Sequence, residues 1–236
     1  MGAIYAALAR SLPILFTARI VSLAILPLIV AAVVWTGIAV ATWHPLTAWL
    51  VSIVGASPDA LLPAIGAGVV AAIAYAVLAV ATAFTAVAVL AMPVIVRTVA
   101  TRDFPALAAR RGGTFTGSVA NALSALAIFA VLWIASLVLL FVPPVYALAS
   151  LVLNAWLTQR MFRYDALAEH ADAGEIRALL ARSRSRLMGL GLVLAPLSLV
   201  PIVNVLVLPL FAGIAFTELC LGELAALRGV APRPIP

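Results

Sequence analysis

From Leu61 to Val96 the chain runs for 36 residues without one charged side chain. As a helix rising 1.5 Å per residue that run would be about 54 Å long, against a bilayer hydrocarbon core of about 30 Å. A second uncharged run, Ile20–Trp43, precedes it. Such runs predict membrane-spanning helices, and the longer one must tilt, kink or project past the bilayer. What separates the runs is just as restrictive. All 14 basic residues are arginines, and the one long polar gap without any of them is His44–Asp59. Loops on the inner side of a cell membrane carry the Lys/Arg excess. The arginine pattern therefore predicts both termini inside and only 44–62 outside.

The remaining segments follow in order, within a single membrane domain over 1–236. Residues 3–17 suit an amphipathic interfacial helix, broken near Pro13, that holds Arg10 at the headgroups. The spans 20–43 and 61–96 come next, then an inner loop from Arg97 to Gly113. Gly68, Ala72 and Ala76 form a small-residue ladder that favours close helix approach and hence a homo-oligomer. Two apolar hairpins follow, 116–160 turning at Pro143-Pro144 and 187–227 turning at Pro201–Asn204. Thr116–Ser118 would cap the first. In the second, the rising arm Leu187–Val200 has 14 residues, interrupted by Pro196. About 21 Å of helix is short for a crossing, so this hairpin is expected to be re-entrant. Between the hairpins, 165–186 has one apolar stripe and reads as an inner-surface amphipathic helix, broken near Gly174. The expected fold class is all-α integral membrane: long transmembrane helices, two apolar helical hairpins with at least one re-entrant, and amphipathic interfacial helices.

Composition closes off other classes. Hydrophobic residues make up 66% of the chain and charged residues 9%, against about 25% charged in soluble domains. The formal net charge is +6. The arginines are spread along membrane-flanking segments without exposed aromatics between them, which points to anionic lipid headgroups and away from nucleic acid. Ala39-Val40-Ala41 resembles a signal cleavage site, but the apolar run before it exceeds a signal core of about 7–15 residues. A retained span is expected.

No constellation for catalysis stands out. Cys220 is the sole cysteine, which rules out an internal disulfide or CxxC pair. His170 with Glu169, Asp172 and Glu175 offers metal-compatible groups, yet their offsets do not share a helical face, and a solvated surface helix accounts for them. Gly112-Gly113 before Gly117-Ser118 is not a P-loop, since the chain has no lysine, and a flexible linker explains it. The expectation is no enzyme, no cofactor and no metal.

One polar feature lies at membrane depth. In Pro201-Ile-Val-Asn204-Val-Leu-Val-Leu-Pro209 the asparagine either caps the returning helix or faces a ligand at the half-helix N-terminus, and the two roles can coexist. This spacing, with Ile25-Leu26-Pro27-Leu28, Tyr164 and Glu175-Ile176-Arg177, resembles the CysZ-type sulfate permease family, grouped with the etoposide-induced membrane proteins. The resemblance covers residues from about 5 to 225. It implies long transmembrane helices, two partly penetrating hairpins, oligomerisation and passage of sulfate across the bacterial inner membrane. The chain departs from it in two places. Val21 and Ser22 stand where the family has an arginine pair that binds sulfate, with only Arg19 nearby, and Ala100 stands where the family carries an acid.

The expected function is a CysZ-like inner-membrane channel or permease for sulfate or another small anion. Its candidate path comprises Arg19, Asn204, Pro201 and Pro209. The alternative is a non-transporting membrane organiser or assembly factor. Expected partners are the lipid bilayer, a small anion and further copies of the chain, with no nucleic acid. The expected location is the bacterial inner membrane, multi-pass.

Overall fold

A computed structural model describes residues 2–55, 60–110, 112–200 and 203–233. The described elements are helical throughout: α1 (Gly2–Leu15), α2 (Ala18–Ile53), α3 (Leu61–Asp103), α4 (Phe115–Ser136), α5 (Pro143–Ala168), α6 (Ala173–Leu194) and α7 (Leu208–Leu227). Short 3-10 turns follow α4 and α6, and a π-helical turn, Val203–Val207, precedes α7. Four of these segments are long and apolar enough to cross a membrane: Ala18–Ile53, Leu61–Asp103, Thr116–Phe141 and Leu208–Leu227. This is an all-α, multi-pass membrane protein.

The chain divides into two compact units, Val21–Leu90 and the remainder, Met1–Ile20 with Ala91–Pro236. In Val21–Leu90, α2 and α3 are joined by polar contacts set in apolar surroundings. Trp35 Nε1 donates to Thr82 Oγ1 at 3.1 Å, and the Thr42 and Tyr75 hydroxyls share a hydrogen bond of 2.6 Å. Ala67, Ala71 and Ala83 are buried, while Val33, Val69, Ile73 and Val77 are exposed. That outward apolar surface suits acyl chains, which is why these helices need no polar face.

Both long helices extend further than charge gaps suggested. α2 has 36 residues and α3 has 43, about 54 and 65 Å. The outer loop expected at 44–62 is helical as far as Ile53, so the helix passes straight through His44-Pro45. Pro45 costs the backbone hydrogen bond to the Ala41 carbonyl; just beyond it, Thr47 Oγ1 donates to the Trp43 carbonyl at 2.8 Å. Gly55, at φ 68°, ends the helix in the left-handed conformation that side chains resist. Residues 56–59 of that loop lie outside the described residues.

The larger unit is organised around α7, whose residues Ala212–Leu221 are all buried. Phe216 stacks on Phe162 of α5 with ring centroids 6.0 Å apart. A Cβ on Gly213 would meet Ile95 Cδ1 at 3.2 Å and Met92 Sδ at 3.3 Å, so the glycine is what lets the end of α3 approach. α1 buries Ile4, Ala7, Ser11 and Ile14, one face at helical spacing, and packs on α7. Contrary to expectation it is not broken at Pro13 but runs to Leu15.

α6 differs most from expectation. The stretch 165–186 is broken, but at residues 169–172 and not at Gly174, which lies inside α6. α5 runs to Ala168 and α6 starts at Ala173, the chain turning between them. Asp172 opens α6 with a reciprocal cap: its carboxylate accepts from the Gly174 and Glu175 N–H groups, and Glu175 accepts from the Asp172 N–H. Since no breaker stands at Arg186, α6 then continues into the rising arm of the second hairpin and stops only before Pro196.

Candidate functional site

The expected path residues fall on separate elements. Arg19 is exposed in the first turn of α2. Asn204 is exposed within the π turn, its N–H donating to the Val200 carbonyl at 2.8 Å. It does not cap α7, whose N-cap residue is Val207, without a side-chain cap bond. Pro209 explains the shift: it occupies the first turn of α7, where a missing N–H is harmless and its fixed φ favours helix. Pro201 lies outside the described residues. Asn204 and Pro209 thus share the head of α7, where a widened π turn leaves an amide at the surface.

Polar chemistry concentrates at the arginine-rich end of the larger unit. Arg228, just past α7, donates from Nη2 and Nε to the Glu175 carboxylate at 2.7 and 2.9 Å, and from Nη2 and Nη1 to the His170 and Ala108 carbonyls, both at 2.7 Å. Arg110 reaches the same carboxylate at 2.9 Å. The Arg228 hydrogen bonds, above all, hold the Glu175 carboxyl down at about 2, and Glu175 in turn raises Arg228. This node ties the 104–114 connection, the start of α6 and the end of α7 together.

The metal-compatible quartet dissolves into the same architecture. His170 is buried in the α5–α6 turn and not on a solvated helix; burial lowers its pKa and so favours neutral imidazole. Glu169 pairs with Arg97 at 3.9 Å, while Asp172 and Glu175 serve the cap and Arg228. Gly112 and Gly113 are not a flexible linker. Their N–H groups donate to Ala171 and Ala168 carbonyls at 3.0 and 2.9 Å, and Cβ atoms there would strike those residues at 2.2 and 2.5 Å. The cap of α4 is Thr114, which accepts from the Gly117 N–H, two residues earlier than expected. A Cβ on Gly117 would overlap the Tyr164 hydroxyl at 2.0 Å, so the glycine makes room for Tyr164 of α5.

A second cluster went unnoticed in the sequence. Glu218 is 3% exposed in the middle of α7, with neither carboxyl oxygen hydrogen-bonded to a donor. It faces Asp103, the last residue of α3, with Arg10 and Arg102 close by. Arg233 closes this cluster, its N–H donating to the Asp103 carbonyl at 2.9 Å and its own carbonyl accepting from Arg10 at 3.2 Å. Ala100, which stands where the resemblance puts an acid, is buried, three residues before Asp103. Only a lone glutamate inside an apolar run could have signalled its partner.

The family described as sulfate transporter CysZ/etoposide-induced protein 2.4 matches residues 7–209. The chain belongs to this family. The match takes in α1 to α6 and stops at Pro209, so Glu218, Glu223 and Arg228 lie beyond it. Among curated proteins and among solved structures, nothing matches the chain. Against the CysZ-type pattern, Tyr164 and Glu175 now have structural duties, wedged against Gly117 and paired with Arg228. Val21 and Ser22, by contrast, supply no guanidinium where the resemblance led one to expect two.

Proposed function

We propose that this protein is an inner-membrane channel or permease for a small anion, sulfate being the first candidate. The observation that carries the reading is membership of a sulfate-transporter family over most of the chain. The chemistry is compatible with it. The net charge is positive, arginines collect at one end of the larger unit, and the π turn at Val203–Val207 leaves an exposed amide beside the start of a helix. Helix N-termini favour negative charge. In this reading the second hairpin lines the path, with Asn204 and Pro209 shaping its tip. Arg19 raises the anion concentration at the inner mouth without binding tightly, since a single arginine cannot replace the hydration of a dianion. Both termini face the cytoplasm, copies of the chain associate, and passage needs no cofactor or catalytic step.

Flux into liposomes tests this. Purified wild type should admit labelled sulfate or a comparable anion, Arg19→Ala more slowly, and Asn204→Leu severely less while still folded. Flux equal to that of empty liposomes across several anions, with folded protein verified, would remove the transport reading and leave that of a membrane organiser.

A further inference from the structure

The outward face of α6 crosses a chemical boundary. Ser183, Leu187, Gly191 and Leu194 are buried and turn the helix toward α5 and α7, on which it packs. On the opposite side, helical periodicity places Ala181 and Ser185, with Arg182 on one flank and Arg184 on the other. These four residues are exposed. Among the described residues no ion pair includes Arg182 or Arg184, and Glu223, the acid that reaches this part of α6, is held by Ser183 and Arg186. Past Gly189 the same outward side turns apolar. Leu192 and Val193 are exposed, and no charged residue follows until Glu218.

α5 marks the same level independently. It is antiparallel to α6 across the turn at 169–172, and a Cβ on Gly191 would meet the Ala155 carbonyl oxygen at 2.7 Å. That contact fixes the register, setting Trp156 level with Leu190 and Arg160 level with Arg186. The Arg160 guanidinium lies over the Trp156 ring, 5.2 Å from its centroid. Tryptophan favours the headgroup boundary of a bilayer, and arginine the anionic layer beside it. Two neighbouring helices therefore pass from basic to apolar at one depth. A solvated surface does not require that coincidence; a headgroup layer does.

We propose that the outward face of α6 is a docking surface for an anionic phospholipid. Its phosphate lies over Ala181 and Ser185, where the short side chains leave room and guanidinium groups reach in from both flanks, and an acyl chain runs along Leu192 and Val193. Charge and apolar surface are continuous on one helix face, and that continuity selects the occupant. A small free anion would leave Leu192 and Val193 uncovered, and an acidic soluble protein would stop at the boundary. The site does not rest on the transport reading, since a protein that passes nothing would hold the lipid equally well.

Lipid retention by the full-length protein in detergent tests this. Native mass spectrometry counts phosphatidylglycerol and phosphatidylcholine offered in equal amounts to delipidated protein, and wild type should retain phosphatidylglycerol preferentially. Arg182→Gln and Arg184→Gln should each weaken that retention about fivefold, and the double variant roughly 30-fold, as befits one and two arginines at an anionic surface. Lysine at both positions keeps the charge and should preserve most of the binding. Melting in phosphatidylcholine micelles should match wild type throughout, and added phosphatidylglycerol should raise it only where the cations remain. Should the double glutamine variant not fold, the two single variants decide. Equal retention of both lipids by wild type overturns the proposal and leaves the arginines to solvent or to an acidic protein. A loss in Arg97→Gln, an exposed arginine of α3, as large as that in Arg184→Gln also overturns it, because diffuse attraction would then account for the binding without a site.

Discussion

Glu175 shows how one carboxylate is asked to do two jobs. It completes the cap of α6 and receives Arg228 from beyond α7. Its carboxyl lies at about 2, against an ordinary value of 4.5. A carboxyl depressed by folding stabilises the folded state fully above its ordinary value, and that stability drains away as pH falls toward the folded value. Melting of the detergent-solubilised protein should therefore weaken between about pH 4.5 and 2. Glu175→Gln should lack that part of the acid dependence and sit roughly 1–3 kcal/mol below wild type at neutral pH, the cost of stranding a partly buried partner. A variant whose acid melting profile overlays that of wild type would contradict this assignment. Asn204 teaches the reverse lesson. Its type suits a cap, yet Pro209 dictates where α7 begins, and a proline fit for the first turn of a helix was a signal already present in the sequence.

Among the elements, α3 was legible and α6 was not. A 43-residue helix announces itself through absent charge, since nothing in 61–96 competes with intrahelical hydrogen bonding in lipid. The start of α6 rests on a capping box of two acids, Asp172 and Glu175, which the sequence reading absorbed into a surface stripe. Its continuation past Arg186 depends on a missing breaker, and absences of that kind carry little weight in a pattern search. Glycine roles were equally hidden. Gly112, Gly113 and Gly117 look like loop composition, but only the partner atoms that a Cβ would strike reveal them as contacts. On α3, Ala71 is buried while Ala72 and Ala76 are exposed, so one small-residue face remains open for another helix. Ala72→Leu should shift the protein toward smaller assemblies in cross-linking or light scattering, because leucine there keeps backbones apart. An assembly of unchanged size would place the interface elsewhere.

At the scale of the molecule, arginine asymmetry predicts which ends face the cytoplasm. Single cysteines at 57 and 172, in a Cys220→Ala background, test it with an impermeant thiol reagent added from outside intact cells. Labelling at 57 and none at 172 is expected; labelling at 172 alone reverses the orientation, and labelling at both reveals two populations.

The larger unit joins residues 1–20 to 91–236, and α1 lies against α7, which is made only after α2 to α6. α1 therefore precedes the helix that covers its buried face by five intervening helices. Ile4, Ala7 and Ile14 must wait in the membrane surface or under a chaperone until Leu208–Leu227 has been inserted. A chain released before that point would carry an orphaned first helix and a bundle lacking its centre. Quality control thus has a natural checkpoint once α7 has been made, and a stop just before Leu208 should be as damaging to this protein as an early one.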